Sequence, residues 1–140
     1  MLIADTGFWI ALANRKDKHH RLARTYVTQL REPLVTTWPV VTETCYLLLT
    51  QLGVQAQVAF LRTYTAGAFQ IYDLVEKQAP RLASLMEKYA DLPMDMADAS
   101  LVLLAEHLGH GRILSTDQRD FGTYRWKQHE PFDNLLLFRQ

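Results

Sequence analysis

Cysteine is nearly absent from this sequence. Cys45 is the single cysteine among 140 residues, and one thiol can build neither a disulfide framework nor a cysteine-rich zinc site. Cys45 lies within an apolar helical pattern, so we interpret it as a small hydrophobic side chain rather than a nucleophile. Any chemistry of the protein is therefore expected from other side chains.

Excess charge and long apolar segments are also lacking. Lysine plus arginine and aspartate plus glutamate both number 15, so the formal net charge is zero. This balance does not indicate a strongly basic nucleic-acid binder, but it leaves room for a protein that meets phosphates through bound metal cations. The N-terminus lacks the features of a signal peptide, and the apolar runs are too short to span a bilayer. We therefore expect a cytoplasmic protein without membrane contact.

Short apolar stretches alternate with segments of helical periodicity along the chain. The patterns predict strands at residues 2–4, 34–37, 69–74, 112–116 and 135–138. They predict helices at residues 8–13, 19–30, 38–52, 55–65, 77–89 and 96–108. This alternation predicts a single α/β domain over residues 1–140, with a central, mainly parallel sheet of about five strands.

Four acidic residues stand out by their positions. Asp5 and Asp117 each follow a predicted strand, whereas Glu43 and Asp98 lie early in predicted helices. Ligand sites in parallel sheets lie beyond the carboxyl ends of the strands, so all four acids are compatible with one cleft. Carboxylates crowded together repel each other and need cations, and Mg²⁺ and Mn²⁺ prefer oxygen ligands and also bind phosphates. The pattern suits metal-assisted hydrolysis of a phosphodiester.

Most of these acids also have a purely structural interpretation. Asp5 could form a turn after its strand. Asp95 and Asp98 could be a helix N-cap and its partner, and we favour the cap for Asp95. Glu43 is harder to explain in this way, because an unpaired carboxylate in a mostly buried helix is costly. Together, the four acids are better explained by a shared site than by separate coincidences.

Four motifs follow one another along the chain: MLIADTGFWIAL, VVTETCYLL, MADASLVLLAEHLG and RILSTDQRDFGTYR. In their order and spacing they resemble the motifs of PIN-domain ribonucleases, and most closely those of the VapC-type toxins of type II toxin–antitoxin systems. The resemblance implies a three-layer α/β/α fold and a Mg²⁺- or Mn²⁺-dependent endoribonuclease that hydrolyses RNA phosphodiesters by metal-activated water. It also implies an antitoxin protein as a partner and, commonly, a homodimer.

The resemblance further implies roles for individual residues. The residues expected to bind the metal and to act in catalysis are Asp5, Glu43, Asp98 and Asp117. Thr6 and Ser115 match positions whose hydroxyls support the acids or the metal-bound water. Asp120 lies within the last of these motifs, and it could cap a short turn together with Asp117. Its role and that of Asp95 in catalysis stay open.

Basic and aromatic residues offer further candidates for RNA contacts. Arg15, Lys16 and Lys18 could hold the RNA backbone, although a solvated loop is the favoured interpretation. Three tryptophans and six tyrosines could stack on unpaired bases or lie in the core, and Trp9 is interpreted as a core or dimer-interface residue. The alternative function is a non-catalytic PIN-like module that binds RNA or protein, which the four acids disfavour.

Overall fold

The structure is a computed structural model that describes residues 1–137. Within this range the strands are β1 (Leu2–Ala4), β2 (Leu34–Thr37), β3 (Gln70–Tyr72), β4 (Arg112–Leu114), β5 (Arg125–Trp126), β6 (Glu130–Pro131) and β7 (Asp133–Asn134). The helices are α1 (Thr6–Ala13), α2 (His20–Thr28), α3 (Trp38–Leu52), α4 (Val54–Thr65), α5 (Ala79–Lys88), α6 (Met96–Leu108) and α7 (Gln118–Thr123), and a 3₁₀ turn covers Glu76–Gln78.

The central sheet has five parallel strands in the order β3-β2-β1-β4-β7. The chain moves outward from β1 to β3 and then returns to place β4 on the other side of β1. The strand order therefore reverses between β1 and β4, which is where ligands bind in sheets of this kind. A separate antiparallel pair is formed by β5 and β6. The predicted α/β fold, three-layered around a parallel sheet, is confirmed.

The two central strands are buried on both faces. Ile3 and Ala4 of β1 and Ile113 and Leu114 of β4 have no exposed surface. Strands covered on both faces are uniformly apolar rather than alternating, and this is how both stretches appear in the sequence. The sheet thus forms a rigid platform from which the loops after β1 and β4 project.

Helix boundaries follow local capping signals. The Thr37 hydroxyl accepts a hydrogen bond from the Val40 N–H (3.5 Å), and Pro39 lies in the first turn of α3, as the sequence predicts. Helix α6 is followed by the C-cap Gly109, whose φ of 78° suits a residue without a side chain. Capping thereby fixes where α3 begins and where α6 ends, and the candidate acids lie in the second turn of α3 (Glu43) and the first turn of α6 (Asp98).

The last part of the chain departs from the prediction. The fifth strand was expected at residues 135–138, but β7 is Asp133–Asn134 and pairs with β4, while residues 135–137 form a turn. Leu136 and Leu137 are buried without being in a strand, so their apolar character reflects core packing and not pairing. Phe138 lies outside the described residues. The sequence patterns also did not predict α7 or the β5–β6 pair, which are too short for a periodic signal.

No helix within residues 1–137 combines the length and the apolar character needed to cross a membrane.

Candidate active site

A cleft with a volume of about 300 Å³ lies at the carboxyl ends of β1 and β4. The carboxylates that line it belong to Asp5, Asp17, Glu43, Asp95, Asp98, Asp117 and Asp120. The remaining lining residues are Thr6, Gly7, Ile10, Leu47 and Thr116. The structure therefore brings the four acids selected from the sequence into one cleft, together with three further carboxylates.

Asp5 is the most deeply buried of these acids, with 6% of its surface exposed. Its Oδ1 accepts a hydrogen bond from the Thr6 N–H (2.7 Å), which caps α1, and its Oδ2 accepts one from the Ser115 hydroxyl (2.9 Å). Burial raises the pKa of Asp5 to about 7, and the negative charges of Glu43 and Asp117 add to this rise. Asp5 thus forms the turn after β1, as its structural interpretation expects, and also lines the cleft.

Ser115 connects the acids that follow the two central strands. While its hydroxyl donates to Asp5, its Oγ accepts a hydrogen bond from the Asp117 N–H (2.9 Å). Asn134 of β7 holds the backbone of Ser115, because its side chain accepts from the Ser115 N–H (3.2 Å) and donates to the Ser115 carbonyl (3.0 Å). Ser115 is fully buried and does not line the cleft, so its contribution is to position the two acids.

Glu43 projects from α3 and is partly buried. Burial raises its pKa, and the charge of Asp95 raises it further, whereas the nearby Thr6 hydroxyl lowers it. The Thr6 Oγ1 is buried and has no hydrogen-bond partner of good geometry among residues 1–137. An orphaned hydroxyl beside two carboxylates fits a place where an ion or its water binds.

Asp95 and Asp98 form a capping box at the start of α6. The Asp95 Oδ1 accepts a hydrogen bond from the Asp98 N–H (2.8 Å), and the Asp98 Oδ2 accepts one from the Asp95 N–H (3.4 Å). Burial raises the pKa of Asp98 to about 8, with further contributions from the charges of Asp95 and Asp5. Asp95 is thus a helix cap as predicted, and the cap orients Asp98 within the cleft.

Asp117 caps the short helix α7, because its Oδ1 accepts a hydrogen bond from the Asp120 N–H (2.9 Å). Burial raises the pKa of Asp120 to about 6, and the neighbouring Asp117 adds to the rise. The Arg119 Nε lies 3.5 Å from the Asp120 Oδ1, but this arginine is largely exposed and does not line the cleft. Asp120 therefore adds another carboxyl group with a raised pKa to the cleft, besides its place in the turn.

Gly7, two residues after Asp5, packs closely against the loop after β4. A Cβ atom at Gly7 would overlap the Thr116 Oγ1, so a larger residue would force the Thr116 side chain to move. The sequence patterns singled out neither Thr116 nor Asp17 as part of the site. Both lie within or beside conspicuous motifs, but only the tertiary packing shows that they face the cleft.

The basic loop lies at the edge of the cleft and not inside it. Arg15, Lys16 and Lys18 are exposed, and Asp17 between them lines the cleft. The Asp17 Oδ1 accepts a hydrogen bond from the His19 N–H (2.8 Å), which fixes the turn. The three basic side chains are therefore near the acids without neutralising them.

The donor set fits a divalent cation. No Lys, Arg or His belongs to the cleft lining found within residues 1–137, and the pKa values of Asp5, Glu43, Asp98 and Asp120 are raised. In the same part of the chain, no three Asp, Glu, His or Cys side chains are placed to hold one ion together. Mg²⁺ does not need such a cage, because it keeps several waters and uses one or two carboxylates besides substrate phosphates.

Comparison with known proteins agrees with this geometry. The family model of the PIN domain matches residues 2–127. The chain belongs to the PIN domain family. The resemblance predicted from the four motifs is thereby confirmed.

One relative in sequence and one solved structure are similar to this PIN domain. Ribonuclease VapC26 of Mycobacterium tuberculosis (strain ATCC 25618 / H37Rv) is 30% identical over 124 residues, which cover 89% of this chain and 92% of the relative. The crystal structure of Mycobacterium tuberculosis VapC20, described as a sarcin-ricin loop cleaving toxin, has a TM-score of 0.79 at 19% identity. The match covers 85% of this PIN domain and 92% of VapC20, and it shows the shared fold.

Proposed function

We propose that this PIN domain is a metal-dependent endoribonuclease and the toxin of a toxin–antitoxin pair. The observation that carries the proposal is the cleft in which Asp5, Glu43, Asp98 and Asp117 meet, with no Lys, Arg or His among the lining residues that the described part of the chain supplies. The similarity of the chain to VapC26, which is named a ribonuclease, supports RNA as the substrate.

Each residue has a distinct task under this proposal. Mg²⁺ or Mn²⁺, when bound, polarises the phosphate and lowers the pKa of water. Asp5, Glu43, Asp98 and Asp117 are the residues that would hold the ion, one or two of them directly and the others through its bound waters. Ser115 keeps Asp5 and Asp117 in register, and Asp95 fixes the direction of Asp98 through the capping box. The orphaned Thr6 hydroxyl is available to the ion or to its water.

The surroundings of the cleft suit a long polyanion. Arg15, Lys16 and Lys18 at its edge would attract the RNA backbone on either side of the cleaved bond, where the acids themselves repel it. The crowded, buried carboxylates of the cleft favour binding of a cation, and they repel a phosphate that is not paired with one. The chain therefore separates attraction of the backbone from the chemistry on one phosphodiester.

We assign protein partners to an exposed apolar surface on α3 and α4. Helices α3 and α4 expose Tyr46, Leu49, Leu52, Val54 and Val58, and exposed apolar groups of this kind mark association sites. We propose an antitoxin protein and a second copy of the chain as the partners, and the cytoplasm as the location.

RNA cleavage by the purified chain tests this function. We expect cleavage in the presence of Mn²⁺, loss of cleavage with EDTA, and a loss of about 100-fold or more in Asp5→Asn and Asp98→Asn. Asp91→Asn, at an exposed acid outside the cleft, is the matched control and should cleave normally. Cleavage that persists in both cleft variants would reject the assignment, and binding of RNA without cleavage would favour the non-catalytic PIN-like module.

A further inference from the structure

Trp38, the first residue of α3, is a partly exposed tryptophan held in a fixed orientation. Its indole Nε1 donates a hydrogen bond to the Asp73 Oδ1 (3.0 Å), and its ring packs edge-on against Tyr64, with centroids 5.7 Å apart and planes at 80°. Even so, 44% of its surface is exposed. A large apolar ring that is both anchored and open to solvent is suited to receive a ligand.

The open side of Trp38 adjoins the acidic cleft. Trp38 helps to line a depression of about 500 Å³, whose other lining residues are Pro39, Thr42, Glu43, Asp95, Met96 and Ala97. Glu43 and Asp95 line the acidic cleft as well, so the two cavities share a wall. Met96, which is 44% exposed, offers a second apolar surface in the depression. A chain bound across the cleft thus passes directly into an apolar shelf.

We propose that this depression, here named the Trp38 shelf, binds the unpaired nucleobase next to the cleaved phosphodiester by stacking on the indole. The inference rests on the proposed function and adds a base subsite to it. A neutral base suits apolar walls, whereas the rim carboxylates of Glu43 and Asp95 repel a phosphate. Stacking uses the π-face that every base has, so the subsite selects for an unpaired nucleotide more than for one base.

A protein partner fits the Trp38 shelf less well than a base does. The shelf is continuous with the acidic cleft, and the exposed apolar residues Tyr46, Leu49 and Leu52 lie farther along α3, outside its lining. That stretch of α3 provides an apolar surface away from the acids. A second copy of the chain covering Trp38 is therefore an outcome for the experiment to exclude.

Kinetics with matched substrates test the subsite. The probes are a short single-stranded RNA cleaved at one bond with Mn²⁺, and the same RNA with an abasic nucleotide on one or the other side of that bond. We expect Trp38→Ala to raise KM about 5- to 100-fold on the intact RNA. On the RNA that is abasic at the stacked position, Trp38→Ala and the wild-type protein should have nearly equal KM values. Trp38→Phe keeps an aromatic face and should restore most of the loss.

Tyr46→Ala is the matched control, because Tyr46 is an exposed aromatic residue of the same helix that lines neither cavity. It should leave KM unchanged on both RNAs. Equal losses of Trp38→Ala on intact and abasic RNAs, or a change in its oligomeric mass measured by light scattering, would overturn the proposal. Trp38→Leu removes the aromatic face but keeps an apolar side chain, and it gives the same comparison if Trp38→Ala does not fold.

Binding measurements keep this inference separate from the proposed function. Fluorescence anisotropy with the labelled RNA in an Asp98→Asn background reports binding without cleavage. In this background Trp38→Ala should raise the Kd for the intact RNA about 5- to 100-fold. If the wild-type protein binds RNA without cleaving it, the nuclease proposal fails but a base-dependent Trp38 effect still supports the shelf. If the protein binds the RNA equally with and without the Trp38 indole, or binds it in neither case, the Trp38 shelf is contradicted.

Discussion

Replacing Asp5 by asparagine should stabilise the metal-free protein at alkaline pH while it abolishes cleavage. The pKa of Asp5 is raised from 3.8 to about 7, mainly by burial. The native state therefore binds this proton more tightly than the unfolded chain does. The stabilisation from that proton is fully present below about pH 4, and it is lost as the pH rises through about 7.

The magnitude follows from the size of the shift. A rise from 3.8 to about 7 means that ionised Asp5 costs about 4 kcal/mol at pH 8. Asparagine has the shape of the protonated acid and keeps an oxygen for the Thr6 N–H. It disturbs the bond to Ser115, which costs about 1 kcal/mol. The net gain is about 3 kcal/mol, which corresponds to a rise in Tm of roughly 10 °C for a chain of this size.

Thermal unfolding of the wild-type, Asp5→Asn and Asp91→Asn proteins at pH 5 and pH 8 measures this effect. The advantage of Asp5→Asn should be present at pH 8 with EDTA and nearly absent at pH 5. Mn²⁺ at one hundred times its Kd should raise the free energy of unfolding of the wild-type protein by about 2.7 kcal/mol, and with it the Tm, and should stabilise Asp5→Asn much less. A variant that is equally destabilised at both pH values, with an unchanged response to Mn²⁺, would refute the electrostatic account of the cleft.

Other substitutions separate the site from the rest of the fold. Gly7→Ala should weaken Mn²⁺ binding and lower the Tm, because its Cβ would displace the Thr116 side chain; a metal titration followed by fluorescence measures the binding and thermal unfolding measures the Tm, and unchanged values of both would show that Thr116 moves aside freely. Ser115→Ala should cost about 1–3 kcal/mol in chemical denaturation and reduce kcat more than it raises KM, because two acids lose their common support. Glu32→Gln should change stability by less than about 1 kcal/mol and leave cleavage intact, since its bond to Arg112 (2.8 Å) is partly exposed; a large loss of activity would connect that ion pair to the cleft.

Several parts of the site are predictable from sequence because local rules determine them. Asp5 and Asp117 follow apolar strands, and the carboxyl ends of parallel strands meet at one edge of a sheet. Asp95 and Asp98 have the spacing of a capping box. Glu43 interrupts a helix that is otherwise suited to burial. In each of these cases the neighbouring residues along the chain are enough to mark the position of the acid.

Other parts depend on packing that no local pattern encodes. Asp17 lies in a charged loop that the sequence presents as solvated, and it faces the cleft only because of how the loop between α1 and α2 settles. The tryptophans show the same limit. Trp9 is buried, with its ring centroid 4.6 Å from that of Phe69, whereas Trp38 is open beside the acids, and composition treats the two alike.

The hydrogen bond from the Ser115 hydroxyl to Asp5 joins residues 110 positions apart in the sequence. A growing polypeptide that has not yet delivered β4 to the middle of the sheet therefore holds only part of its acidic cleft, without Asp117 or the support for Asp5. Under the proposed function, this order of events means that β4 and Asp117 must be synthesised before the new molecule can cleave RNA.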